Sequence, residues 1–175
     1  IQPGQAVGIM SRTRFEWALI DFALWYAGAV PVPIYESSAP SQIEWILSDA
    51  DCVALFVEND EHQSRFEEIK NSAPLCRQVW NFDGGAIEQL ERFGKEITDE
   101  TIQTRRKSSG LFDLATIIYT SGTTGKPKAI VTSHGDADGG IVDDLLAGRA
   151  SADPRIADPE NAGLHRANLE RARRR

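Results

Sequence analysis

The sequence lacks long apolar runs and has a deficit of positive charge. No uninterrupted stretch approaches the roughly 18 apolar residues that a membrane-spanning helix needs, and no secretory leader is recognisable. The 19 Lys and Arg residues face 26 Asp and Glu residues, which gives a net charge of −7. Because phosphate backbones attract basic proteins, this balance argues against nucleic acid as a partner.

Cysteine is also scarce. Cys52 and Cys76 are the two cysteines, and neither has a second cysteine or a histidine at a spacing typical of metal sites. We expect both to be reduced thiols in or near the core of a cytoplasmic protein. A single disulfide between them is the alternative that counting leaves open.

Aromatic residues and lysines are missing from the last part of the chain. All 14 aromatic residues and all five lysines precede residue 135, and Ala, Gly, Asp and Arg dominate thereafter. We therefore divide the chain into residues 1–134 and an atypical segment, 135–175. We expect that segment to be disordered, because it has too little apolar surface to offset its ordering entropy, or to result from a frameshift near Gly135. A genuine tail with weak helices is the alternative. Since the first residue is Ile, we also expect the chain to begin within a longer protein.

Hydrophobic patterns before residue 135 predict alternating strands and helices, which is typical of an α/β domain with a mostly parallel sheet. Residues 14–27 have apolar side chains at helical spacing, and we expect this stripe to pack in the core. Residues 29–35 follow as an extended stretch, in which Pro31 and Pro33 exclude a helix and favour an edge or strand-end position. We expect His62 to be solvated on a polar helix, and residues 94–110 to form a polar linker.

A loop of unusual composition follows the apolar residues 115–119. Every position in it carries a hydroxyl group or is a glycine: Thr120, Ser121, Gly122, Thr123, Thr124 and Gly125. Lys126 and Lys128 follow, with Pro127 between them, and residues 129–131 resume a strand-like pattern. Free backbone N–H groups, hydroxyl donors and two cations favour a phosphate-binding loop between two strands. The alternative is an ordinary hairpin turn that binds nothing. The P-loop pattern does not fit, because Pro127 stands where its Ser or Thr belongs.

Residues 119–128 read Tyr-Thr-Ser-Gly-Thr-Thr-Gly-Lys-Pro-Lys, and they precede an apolar pair and His134. This run closely resembles the AMP-binding signature of the adenylate-forming superfamily, which includes acyl-CoA synthetases, luciferases and peptide-synthetase adenylation domains. Ala129 departs from the usual glycine. Residues 4–9, 11–14, 27–35 and the Ser-x-x-Gln-Ile pattern after Ser38 look most like long-chain fatty-acid–CoA ligases. The resemblance covers residues 1–134 nearly continuously, and it implies part of the N-terminal domain of the adenylate-forming fold.

The resemblance implies that ATP activates a fatty acid to an acyl-adenylate, and that coenzyme A then displaces AMP. It assigns the nucleotide phosphates to Thr120, Ser121, Gly122, Thr123, Thr124, Gly125, Lys126 and Lys128, and it gives His134 an orienting role near the nucleotide and acyl sites. It also implies Mg²⁺ as a cofactor and peripheral membrane contact for the intact enzyme. The family's magnesium-binding Glu and catalytic Lys have no counterpart here, so we name no catalytic residue and expect the chain alone to be inactive. Adenylation of an amino or aryl acid, or a non-catalytic nucleotide-binding module, are the alternatives.

Overall fold

The computed structural model describes residues 1–110, 112–120 and 127–135. Six strands and five helices lie within these ranges: β1 (Ala6–Met10), α1 (Phe15–Tyr26), β2 (Val30–Ile34), α2 (Pro40–Asp49), β3 (Ala54–Val57), α3 (Asp60–Ile69), β4 (Gln78–Asn81), α4 (Ala86–Gly94), α5 (Asp99–Arg106), β5 (Leu114–Thr120) and β6 (Lys128–Ser133). No helix in the described part of the chain is both long and apolar enough to cross a membrane.

The first four strands form one parallel sheet in the order β2-β1-β3-β4. The predicted α/β class and mostly parallel sheet are thereby confirmed. β1 lies inside the sheet and all five of its residues are buried. The Cβ of any residue replacing Gly8 would lie 2.8 Å from Cδ1 of Leu55, so close side-chain packing explains the glycine.

Two buried clusters cover the two faces of the parallel sheet. One joins the sheet to α2 and α3 through residues such as Ile43, Leu47 and Phe66. The other joins it to α1 and α4 through Ile20, Leu24 and Ala86. Cys52 and Cys76 are buried free thiols in the first cluster, as expected, and burial raises the pKa of the Cys76 thiol to about 12.

Strand β2 is an edge of the parallel sheet, which is one of the two positions that its prolines favoured. The N–H of Val30 donates to Gln5 on the β1 side, and the backbone groups of successive strand residues point to opposite sides. The N–H groups that Pro31 and Pro33 lack would therefore face away from β1. β5 lies on that side and contacts β2 without joining the sheet. The hydroxyl of Thr116 instead donates to the carbonyl of Pro31 at 3.0 Å.

Helix α1 departs from its expected packing. Ile20 and Leu24 are its buried residues, whereas Phe15 and Phe22 are 77% and 56% exposed. Leu19 and Tyr26, on the same stripe, are also exposed. The expectation that this stripe packs in the core is wrong for the described residues. Apolar side chains surround the helix, so spacing alone cannot indicate which side faces the sheet.

Two further expectations are corrected. His62 is 6% exposed, and its Nδ1 has no hydrogen-bond partner within the described residues, so it is not a solvated histidine.

Residues 94–110, which were expected to form a polar linker, contain helix α5. Its N-terminus is capped by Thr98, which accepts a hydrogen bond from the N–H of Thr101. No residue of α5 is buried, and a helix without a buried face gives no apolar period to detect.

Candidate functional site

The sequence predicted a strand on each side of the loop, and the structure pairs these two strands, β5 and β6, as an antiparallel hairpin. Thr120 pairs with Lys128 at the mouth of this hairpin, and both residues are exposed. The structure therefore brings together a hydroxyl donor and an ammonium group where the loop begins and ends. The other candidates in the loop lie outside the described residues: Ser121, Gly122, Thr123, Thr124, Gly125 and Lys126.

His134 lies at the opposite end of the hairpin from Lys128. The six-residue separation corresponds to about 20 Å along an extended strand. Its N–H donates to the carbonyl of Asp113 at 3.0 Å, and its ring lies 5.9 Å from that of Trp25 in an edge-to-face arrangement. The structure thus places His134 beside α1 and away from the loop mouth.

A pocket of about 380 Å³ opens at the carboxyl ends of β1 and β2. Ser11, Arg12 and Thr13 follow β1, and Tyr35 and Glu36 follow β2; Trp17, Pro33, Ile34, Ile118 and Tyr119 complete the lining. Ligands of open parallel sheets bind at this edge, because the loops after the strands converge there. Since β5 contributes Tyr119, one residue before Thr120, the pocket and the loop mouth belong to one region.

A buried carboxylate stabilises the edge of this pocket. Glu58 follows β3, its side chain is 2% exposed, and it forms a salt bridge with Arg12. One carboxylate oxygen accepts from Arg12 Nε at 2.9 Å, and the other accepts from the Arg12 backbone N–H at 2.8 Å. Ser11 donates to it as well, at 3.3 Å. The Arg12 guanidinium lowers the pKa of the Glu58 carboxyl from 4.5 to about 2 by donating hydrogen bonds to its charged form.

Sequence reasoning missed this ion pair. A signal was nevertheless present, because Glu58 directly follows one buried strand, and Ser11 and Arg12 directly follow another. The ends of neighbouring parallel strands meet at one edge, so polar residues at both ends are candidates for contact. The Arg12 side chain remains 72% exposed, so it presents a positive charge at the pocket while Glu58 fixes its position.

Two side-chain hydrogen bonds connect the hairpin to α2. The Tyr119 hydroxyl donates to Asp49 Oδ2 at 2.7 Å, and Trp45 Nε1 donates to the carbonyl of Pro127 at 3.0 Å. Tyr119 is 4% exposed, and burial together with its hydrogen bond to Asp49 raises the pKa of the phenol. Both stems of the loop are therefore held by the same helix.

A parallel α/β sheet with a pocket at its carboxyl edge, next to a loop rich in hydroxyls, glycine and lysine, is the arrangement that the resemblance to adenylate-forming enzymes implies. Comparison with known proteins agrees with this class. The family described as "AMP-binding enzyme" matches residues 1–153. The chain belongs to this AMP-binding enzyme family.

Curated relatives within this family include long-chain-fatty-acid–CoA ligases. The chain is 42% identical over 131 residues to the long-chain-fatty-acid–CoA ligase FadD15 of Mycobacterium bovis, covering 73% of this chain and 22% of the relative. It is 31% identical over 145 residues to human long-chain-fatty-acid–CoA ligase 1, covering 75% and 21%. The chain therefore spans about a fifth of the length of these relatives.

Solved structures share the fold. The anthranilate CoA ligase AuaEII, in complex with anthranoyl-AMP, matches with a TM-score of 0.64 at 24% identity, covering 86% of this chain and 27% of that one. MbtA of Mycobacterium smegmatis matches with a TM-score of 0.60 at 28% identity, covering 78% and 25%.

Proposed function

We propose that this chain provides the nucleotide-phosphate-binding part of an enzyme that activates a long-chain fatty acid with ATP. The observation that carries the proposal is the lysine-bearing hairpin beside the carboxyl edge of the parallel sheet. The identity of 42% to a long-chain-fatty-acid–CoA ligase supports the class of acid. The structural match to an anthranilate ligase is below 25% identity, so it supports the fold alone and does not favour an aryl acid.

The reaction has two steps. A carboxylate oxygen of the fatty acid forms a bond to the α-phosphorus of ATP, and the bond to the bridging oxygen breaks to release pyrophosphate. The thiol of coenzyme A then bonds to the acyl carbon, loses its proton, and displaces AMP. The first step brings a carboxylate towards a polyanion, so it depends on neutralising charge and holding the reactants in line.

Residues of the hairpin would meet these needs. We assign the β- and γ-phosphates to Thr120, Ser121, Gly122, Thr123, Thr124 and Gly125, with Lys126 and Lys128 offsetting the negative charge of the departing pyrophosphate. Lys128 is exposed at the loop mouth and faces Thr120 across the hairpin, which suits this role. His134 lies too far along the hairpin to share these phosphates, so we assign it to orienting another part of the substrates.

Magnesium is a separate question, because enzymes that handle ATP commonly use Mg²⁺. Within residues 1–110, 112–120 and 127–135, no group of three or more His, Cys, Asp or Glu side chains is arranged to hold a metal ion. No step of this proposal depends on a bound metal ion.

The test is ATP binding by the 175-residue chain, measured by isothermal titration calorimetry. The double variant Lys126→Ala, Lys128→Ala is expected to bind ATP at least tenfold more weakly, because hydrogen bonds from charged groups contribute more than neutral ones. The control is Lys95→Ala, Lys107→Ala, which removes the same charge at the ends of α4 and α5. Equal affinities in all three proteins, or no ATP binding by the unaltered chain, would contradict the assignment.

A further inference from the structure

Helix α2 contacts the phosphate loop at both of its stems. Trp45 donates to the Pro127 carbonyl, which directly precedes Lys128, and Asp49 accepts from Tyr119, which directly precedes Thr120. Trp45 and Asp49 are four residues apart, so they project from one side of the helix. No local sequence pattern connects these residues, since 82 and 70 positions separate the partners.

The rise of one turn of α2 is similar to the spacing between β5 and β6. Four residues of an α-helix rise by about 6 Å, and neighbouring strands lie about 4.8 Å apart. One turn of α2 can therefore reach both strands of the hairpin at once. Tyr119 and Ala129 face each other in the register of β5 and β6, immediately inside the mouth.

Packing fixes both anchors. Tyr119 belongs to the buried cluster between the sheet and α2, and Trp45 and Ala129 pack against the same cluster. Ile43, Ile46 and Leu47 bury the inner face of α2 and hold the helix against the sheet. The two hydrogen bonds thus join α2, which is held in place by packing, to the two ends of the loop that we assign to phosphate binding.

We propose that Trp45 and Asp49 of α2, together with Tyr119 of β5, form a clamp that positions the loop for the β- and γ-phosphates of ATP. The three are positioning residues, because they act on the two stems, through the Pro127 carbonyl and the Tyr119 side chain, and need not touch the nucleotide. This inference rests on the proposed function for the identity of the ligand. Its structural part, that α2 holds the stems, is independent of any ligand.

The substitutions Trp45→Phe and Tyr119→Phe each remove one donor and keep an aromatic ring. Since a net hydrogen bond affects an equilibrium by a factor of about three to ten, each variant should bind ATP more weakly by that factor. AMP has no β- or γ-phosphate, so its affinity should not change. Trp80→Phe is the matched control, because Trp80 stacks on Phe56 in the other cluster.

A conservative variant separates positioning from general destabilisation. Asp49→Asn keeps an oxygen that can accept from Tyr119, so it should retain most of the ATP affinity, whereas Asp49→Ala should match Tyr119→Phe. Calorimetry would measure ATP and AMP affinities for every variant. Equal losses for both nucleotides, or no change in ATP affinity with Trp45→Phe and Tyr119→Phe, would overturn the clamp.

Hydrogen exchange tests the clamp when no nucleotide is present. Amides of β6 next to the loop, at residues 128–130, should exchange faster in Trp45→Phe than in the unaltered chain or in Trp80→Phe. If the unaltered chain bound neither nucleotide, the proposed function would fail, and this measurement would still decide the clamp. Unchanged exchange in Trp45→Phe would overturn it.

Discussion

The buried ion pair between Arg12 and Glu58 leads to a pH-dependent prediction. Glu58→Gln keeps the size of the side chain and one accepting oxygen but removes the negative charge that Arg12 and Ser11 contact. Because the Glu58 side chain is 2% exposed, water cannot replace the lost interactions. We expect this substitution to destabilise the protein at neutral pH.

The size of the effect follows from linkage. The pKa of Glu58 is about 2 in the folded protein, against an ordinary value of 4.5, and a difference of one in pKa corresponds to about 1.4 kcal/mol. The charge should therefore contribute about 3 kcal/mol to the free energy of unfolding at pH 7. A lowered folded-state pKa stabilises above pH 4.5, and this stabilisation is lost as the pH falls towards 2.

Urea unfolding followed by tryptophan fluorescence at pH 7, 5 and 3 would measure this difference between the unaltered chain and Glu58→Gln. We expect it to fall to less than half of its neutral value at pH 3. Glu67→Gln is the control, because Glu67 forms an exposed pair with Lys70 that should contribute less than about 1 kcal/mol. A difference below about 0.5 kcal/mol at pH 7, or one that does not change with pH, would refute the reasoning.

Two further substitutions test the packing that positions the site. Gly8→Ala should destabilise the protein by about 1 to 3 kcal/mol, because the added methyl group overpacks the centre of the sheet; urea unfolding measures this, and Gly94→Ala, with open space around it, is the control. Thr116→Val should cost about 1 kcal/mol, because it removes the hydrogen bond from the Thr116 hydroxyl to the carbonyl of Pro31; hydrogen exchange across β5 should also become faster.

Each of these has a clear contrary result. A Gly8→Ala variant as stable as Gly94→Ala would mean that the neighbouring leucine side chains move aside without cost. A Thr116→Val variant with unchanged exchange in β5 would mean that the hydroxyl does not hold β5 against β2.

Much of the fold could be predicted because its signals are local. The buried run at residues 6–10 and the two prolines of β2 are sufficient to indicate an inner strand and an edge strand. Gly28 follows α1 with a φ of +74°, a conformation that favours glycine. The two strands on either side of the loop were predicted because two apolar segments flank a run of small polar residues, whereas their antiparallel pairing is a finding of the structure.

The two predictions about burial that were wrong, for His62 and for α1, also have physical causes. His62 lies on a helix whose sequence is mostly polar, so its burial depends on what packs against that helix. The exposed stripe of α1 could not be told from its buried side, because apolar residues surround the helix. In both cases tertiary contact decides burial, and periodicity does not report it.

The candidate site also combines residues that the sequence indicates with contacts that only the fold creates. Its hydroxyl, glycine and lysine residues stand together in the sequence, and their pattern indicates a phosphate-binding loop. The contacts that support it do not stand together: Arg12 and Glu58 are 46 positions apart, and Trp45 and Pro127 are 82 apart. Only the fold brings those partners within hydrogen-bonding distance.

The most direct test of the proposed function is a chimera. The 131-residue segment of Mycobacterium bovis FadD15 that matches this chain would be replaced by the corresponding residues of the chain, and fatty-acid-dependent exchange of pyrophosphate into ATP would be measured with palmitate. We expect exchange by the chimera, and at least a tenfold loss when Lys126 and Lys128 are both changed to Ala. A chimera that folds with a native-like melting temperature but does not catalyse exchange, or a double variant as active as its parent, would contradict the proposed function.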